Sequence, residues 1–393
     1  MKKANLVEIQ RDIEKGIYFT TKKKNSVFLH TPLFHKNEIK NLKYCIQSTY
    51  VSTAGKFIRE FESKLESFTK AKNIIAVLNG TIGLTICIKV LGAKRSDEIL
   101  VPTLTFVGTV NAIKNADCNP HFIDSDKEGL GIDYDKLEIY LKKNTYIKNN
   151  YLYNKKTKNR IFAIIPVHIL GNINNINNIC KIAKKFKLKI IEDAAEALGS
   201  FYKKKHAGTF GDLGVISFNA NKTITTGGGG AIICNNNRLS NKIRHLISVS
   251  KKPHKWKFIH DSVGWNYKMT NLNAAVGLGQ MFHLKKILLY KKRIHNKYNS
   301  FFKNNIFFKL LKSSLNCKSN YWINAIYVEN ININERDFLL SNLNKKSIEC
   351  RPLWKLIHTL PMYKHCQKSS LNNSIDLEKK IICLPSSPIY GKL

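Results

Sequence analysis

The sequence predicts an α/β protein built on a mostly parallel, buried sheet, with a second and smaller domain at its C-terminal end. Three observations carry that prediction. Short apolar runs alternate with helical segments over most of the chain. Two of these runs, IIAVL at 74–78 and IFAII at 161–165, are apolar at nearly every position, as strands are when helices cover both faces. Beyond about residue 275 the alternation fades into helix-rich segments with a short βαβ-like ending.

Taken in order, residues 1–30 are polar without a convincing period and read as a peripheral extension. A large domain is expected over 31–275 and a small one over 276–393. The period of FIREFESKLESF predicts a helix from about Lys56 to Thr69, ahead of the strand at 74–78. The turn Asn79-Gly80-Thr81 then opens an apolar helix over 82–91. Further strands are expected at 98–101, 121–123, 161–165, 189–192 and 214–218, with helices such as 135–143 and 177–186 between them. Residues 142–160, rich in Lys, Asn and Tyr, read as an exposed excursion. A basic tract interleaved with tyrosines can bind single-stranded nucleic acid, but no recognisable module surrounds this one.

The chain has 393 residues and a formal charge of +38, which raises nucleic acid or anionic membrane as partners. Only nine of its 65 basic residues are Arg, the side chain suited to bidentate phosphate reading. The lysines instead come in runs with Asn and Ile, a compositional bias spread over exposed positions, and neither partner is expected. The nine cysteines are scattered and never form a C-x-x-C pair, so neither a disulfide framework nor a metal site is predicted. The N-terminus lacks the apolar segment of a signal peptide, and the best apolar stretch, 161–170, is half a membrane span. A reducing cytoplasm is the expected location.

Three features fall at the carboxyl ends of predicted strands, where open α/β sheets place their ligands. Asn79-Gly80-Thr81 offers bare backbone and the free amides of a helix start, a natural phosphate cradle. Asp193 ends the strand KIIE and could pair with a protonated ring nitrogen, or simply cap a following helix. Lys222 lies in SFNANKTITTGGGG, between a strand and a glycine run whose spacing is not that of a P-loop. A phosphate nest, a carboxylate and an amine are together what pyridoxal 5'-phosphate requires of a protein.

The order nest, carboxylate, lysine resembles the fold-type I aminotransferases. SFNANKTITTGGGG, IIEDAAEALGS, VPTLTFVGTVNAI, PVHILGN and VGWNYKMTNLNAAVGLGQ resemble motifs of the DegT/DnrJ/StrS sugar aminotransferase family, over about residues 30–390. The resemblance implies a large domain with a mostly parallel seven-stranded sheet and a smaller α/β C-terminal domain. It implies that Lys222 is the catalytic residue that carries pyridoxal 5'-phosphate and moves the proton. Asp193 would hold the ring nitrogen protonated, Gly80, Thr81 and Ser217 would bind the phosphate, and Phe106 would cover the ring. Asn266 would reach the phosphate site of a neighbouring subunit in a homodimer. His168 would line the pocket, unless its role is structural, and Arg351 would approach the sugar nucleotide, unless it forms a surface ion pair.

Three positions depart from the commoner pattern. Ile82 stands where a hydroxyl often follows Gly-Thr, and Lys268 replaces a frequent Arg. Glu196 occupies the position of a Gln or His that touches the cofactor's phenolic oxygen, where a carboxylate is repulsive unless a proton is shared.

The implied reaction passes an amino group from an amino acid, glutamate by expectation, to the C4 keto group of a nucleotide-linked 4-keto-6-deoxysugar. The wording of DAAEALGS and PVHILGN most resembles enzymes acting on UDP-2-acetamido-4-keto-2,6-dideoxyhexose, with a GDP-4-keto-6-deoxymannose aminotransferase as the alternative. Related dehydrases carry His at the position of Lys222, which argues against them. A non-catalytic binding or regulatory relative is a further alternative, and the intact Asp193 and Lys222 weigh against it.

Overall fold

The computed structural model describes residues 3–392. Seven strands form the centre: β1 (Asn73–Val77), β2 (Glu98–Pro102), β3 (Asn119–Ile123), β4 (Arg160–Ile164), β5 (Lys189–Asp193), β6 (Leu213–Ser217) and β7 (Gly230–Cys234). Their order is β1-β7-β6-β5-β4-β2-β3, with β7 antiparallel to both neighbours and the other pairs parallel. Successive residues of a strand face opposite sides. Ile75 and Val77 therefore join a core under helices 80–90, 107–115 and 237–247, whereas Ile74 and Ala76 join another under helices 56–69, 134–144 and 176–185. The expected parallel α/β architecture is the one observed.

Several local expectations differ. Strand β7 was not expected from its residues, because GAIIC directly follows a run of glycines, which disfavour strands. The excursion at 142–160 contains an antiparallel hairpin, Thr145–Lys148 with Tyr151–Asn154, which pairs with Arg160 and Ile161 at the start of β4 and buries Leu152. The C-terminal part contains a four-stranded antiparallel sheet, in the order Phe308–Leu310, Asn324–Val328, Ile381–Leu384, Arg351–Pro352, rather than a βαβ unit. The boundary expected near residue 275 lies inside the 32-residue helix Asn271–Phe302, which contributes to cores at both of its ends.

Residues 3–21, expected as a polar extension, form a helix. Leu6, Ile9, Ile13 and Ile17 recur at spacings of three and four, and all are buried against Ile294, Tyr298, Leu339 and Leu343 of the C-terminal part. These four make a narrow stripe that composition hides and the partner surface reveals.

Candidate active site

A cavity of about 320 Å³ opens at the carboxyl ends of the central strands and is lined by Gly80, Thr81, Phe106, Asp193, Glu196, Ser217 and Lys222, among others. These seven expected positions, spread over more than 140 residues of sequence, come together because each ends a strand of one sheet or lies within five residues of its end.

The wall begins where β1 stops. Asn79 leaves the strand in an extended conformation and caps the helix Gly80–Val90, its side-chain oxygen accepting the Ile82 N–H at 2.9 Å. The first N–H groups of the helix lack partners within it and carry the positive end of its dipole. A β-carbon on Gly80 would lie 3.3 Å from the Ser217 β-carbon, so the helix start and the end of β6 form one narrow cradle. Gly230 is more constrained still. Its β-carbon would sit 2.7 Å from the Asn79 carbonyl carbon and the Gly80 nitrogen, so only glycine lets β7 pass beneath this turn. The glycine run thus shapes the cradle from behind.

Asp193 ends β5 and is 5% exposed. Its Oδ2 accepts the Thr109 hydroxyl at 2.7 Å and its Oδ1 accepts the Ala195 N–H at 3.0 Å. No helix follows it, only turns, so it is not a helix cap. Thr109 had not been singled out, although it lies within VPTLTFVGTVNAI. Nothing in sequence spacing links it to a carboxylate 84 residues away.

Lys222 Nζ lies 3.3 Å from Glu196 Oε1 and 4.2 Å from the centre of the Trp322 ring. Trp322 is held in turn by its indole N–H, donated to the Asn221 carbonyl at 2.6 Å. It comes from the C-terminal part of the chain and was also not anticipated. The buried Glu196 accepts the Leu170 N–H at 2.8 Å through Oε2. Burial, with Asp193 adding to it, pushes the Glu196 pKa above its ordinary value, against the pull of Lys222. Asn320 fixes the loop by donating its amide N–H groups to the Glu196 and Leu198 carbonyls. Phe106 is half exposed at the N-terminus of helix Val107–Asn115, its ring free to cover a planar ligand.

Three expected positions lie elsewhere. His168 does not line the cavity, contrary to expectation. Its Nε2 pairs with the fully buried Glu192 at 2.9 Å, and Glu192 also accepts N–H groups from Gly208 and Gly211. The pair locks the loop after β4 to the neighbouring strand β5, which is the structural role. Arg351 borders a second cavity of about 500 Å³ that shares Asn221, Trp322 and Trp354 with the first. It is also exposed and paired with Glu349 at 2.8 Å, so both of its expected readings have a basis. Asn266 is exposed and outside both cavities, beside a surface segment that presents Trp256, Phe258 and Val263.

The residues present fit pyridoxal 5'-phosphate. An amine, a buried carboxylate with two fixed donors, and a helix start flanked by the Thr81 and Ser217 hydroxyls share one cavity. Such a set offers covalent attachment, a counter-charge for a ring nitrogen, and a dianion site.

The sequence model of the DegT/DnrJ/EryC1/StrS aminotransferase family matches residues 32–391. A GDP-perosamine synthase of Escherichia coli O157:H7 is 35% identical over 92% of this chain and 93% of its own. A UDP-4-amino-4,6-dideoxy-N-acetyl-beta-L-altrosamine transaminase of Campylobacter jejuni is 33% identical over 67% of this chain and 66% of its own. The crystal structure of a DegT DnrJ EryC1 StrS aminotransferase from Brucella abortus is similar with a TM-score of 0.81 and 26% identity, covering 90% and 91% of the two chains.

Proposed function

The chain belongs to the DegT/DnrJ/EryC1/StrS aminotransferase family, a pyridoxal-phosphate-dependent sugar aminotransferase by that membership, and on this premise we propose its reaction and substrate. The amino group of glutamate passes to the C4 keto group of a nucleotide-linked 4-keto-6-deoxysugar. The observation that supports this most directly is the shared cavity of Lys222, Asp193 and the Gly80 helix start.

When bound, the cofactor supplies the aldehyde that takes up the amino group and the ring that accepts the released electrons. The chain's residues do the rest. Lys222 Nζ moves the proton at the reacting carbon, positioned by Glu196 and by the face of Trp322. The Asp193 oxygens, oriented by Thr109 and Ala195, hold a proton on the ring nitrogen. The Gly80 helix start, with the Thr81 and Ser217 hydroxyls, binds the phosphate. Asn266, exposed and outside the lining of its own cavity, serves a neighbouring subunit in a homodimer.

The substrate we favour is UDP-2-acetamido-4-keto-2,6-dideoxyhexose, for surface-glycan synthesis, on the wording of DAAEALGS and PVHILGN. The 35% identity to a GDP-perosamine synthase favours GDP-4-keto-6-deoxymannose as the second reading. Supplying each keto-sugar with glutamate and following amino-sugar formation separates them. Amino-sugar from the UDP substrate alone supports the first reading, and from the GDP substrate alone the second. Formation of neither overturns both.

A further inference from the structure

The second cavity, about 500 Å³ and adjoining the first where Asn221, Trp322 and Trp354 line both, contains a group that neither the fold nor the reaction explains. His30 borders it, carried by the segment that leads into the large domain. Neither ring nitrogen is open to solvent, and among the described residues neither has a hydrogen-bond partner. Burial, together with the ammonium groups of Lys291 and Lys222, holds the His30 pKa well below 6.5, so the ring is neutral near pH 7. A neutral imidazole carries one donor and one acceptor, and leaving both unmade in an interior is costly.

The other walls narrow the choice of ligand. Leu29, Leu353, Trp354 and Cys383 are apolar, and Arg351 offers a cation that Glu349 partly balances. A substrate whose reacting carbon meets Lys222 passes Trp322 and extends into this space. A dianionic phosphate suits Arg351. A ring nitrogen among apolar walls suits an uncharged hydroxyl or amide instead. We infer that His30 is a specificity-determining residue, hydrogen-bonding the hydroxyl or acetamido substituents of the sugar ring of a bound nucleotide sugar. Neither nitrogen faces the open cavity in this pose, so the proposed hydrogen bond requires the ring to turn about its side-chain torsions, a move that breaks no hydrogen bond. The assignment rests on the nucleotide-sugar reading above and adds the residue that selects the sugar.

The test is calorimetric binding of the two keto-sugar nucleotides, and of UDP and GDP alone, to holoenzyme without amino donor. Wild type is compared with His30→Phe, which keeps the ring's bulk, and His30→Asn, which keeps a donor and an acceptor. Both variants should retain the visible cofactor band and its bleaching by glutamate. His30→Phe should bind the preferred keto-sugar nucleotide about tenfold more weakly or worse, with unchanged affinity for the free nucleoside diphosphate. His30→Asn should fall between. Equal binding of the sugar nucleotide by wild type and His30→Phe overturns the assignment, as does an equal loss toward the free diphosphate. If His30→Phe fails to fold, the same comparison on His30→Asn decides. A wild type that responds to glutamate but binds neither keto-sugar overturns the nucleotide-sugar reading, and the role of His30 with it.

Discussion

At the scale of single residues, the chemistry converges on Lys222 and the two carboxylates near it. Lys222→Ala should abolish both turnover and the visible absorbance of the lysine-linked cofactor, read in one spectrum of the purified protein. A band like that of wild type would contradict the assignment. Glu196 gives a pH prediction. Its pKa is raised above the ordinary 4.5, chiefly by burial, so the folded state binds its proton more tightly than the unfolded state does. Stability from this group is then present below 4.5 and declines as pH rises through the folded value. In cofactor-free protein, the denaturation midpoint of Glu196→Gln should gain on that of wild type as pH rises from 4 toward neutral. A difference that stays constant, or runs the other way, would show that the ion pair with Lys222 outweighs burial. In holoenzyme the same substitution should move the cofactor's absorption maximum, because a shared proton would be replaced by a fixed amide donor.

At the scale of elements, the cradle depends on how closely β7 runs beneath the turn after β1. Gly230→Ala forces a β-carbon to within 2.7 Å of backbone atoms, which cannot move aside as a flexible side chain can. We expect a loss of about 1–3 kcal/mol in stability, the usual range for overpacking. The helix start should also shift, and cofactor affinity should fall at the phosphate end. Denaturant unfolding and cofactor titration measure the two effects. Gly228→Ala is the control, since no atom lies within 4 Å of its added carbon. Strain confined to Gly230 would mark the glycine run as partly packing and partly flexibility.

At the scale of the whole molecule, Asn266 and its exposed aromatic neighbours bear on how many chains make one site. If Asn266 completes the partner's cavity, mixing inactive Lys222→Ala with inactive Asn266→Ala should restore activity. Random pairing gives hybrids half the time, each with one intact site of two, so recovery should approach roughly a quarter of wild type. Absence of recovery, with hybrids verified by sedimentation or tag exchange, would place Asn266 in its own subunit's service. The same scale explains why residues 3–21 matter. Ile9, Ile13 and Ile17 are fully buried against the C-terminal part, so this helix belongs to the core.

The sequence alone determined the parallel α/β architecture and, at strand ends, the Gly80 turn, Asp193 and Lys222 of the main cavity, while Phe106, Glu196 and Ser217 came from the family resemblance. The architecture and the strand-end positions are encoded locally, in the apolar runs of buried strands and in side chains placed where one sheet brings them together. Tertiary structure alone decided the partners. Thr109 at Asp193, Trp322 beneath Lys222 and the orphaned ring of His30 depend on contacts between segments far apart in the chain, which no spacing reveals. It also decided against the pocket role expected of His168, because a buried carboxylate one strand away binds that ring more closely than any cavity does. Patterns read from one segment report which face is apolar. What a polar side chain meets across the core depends on how the segments pack.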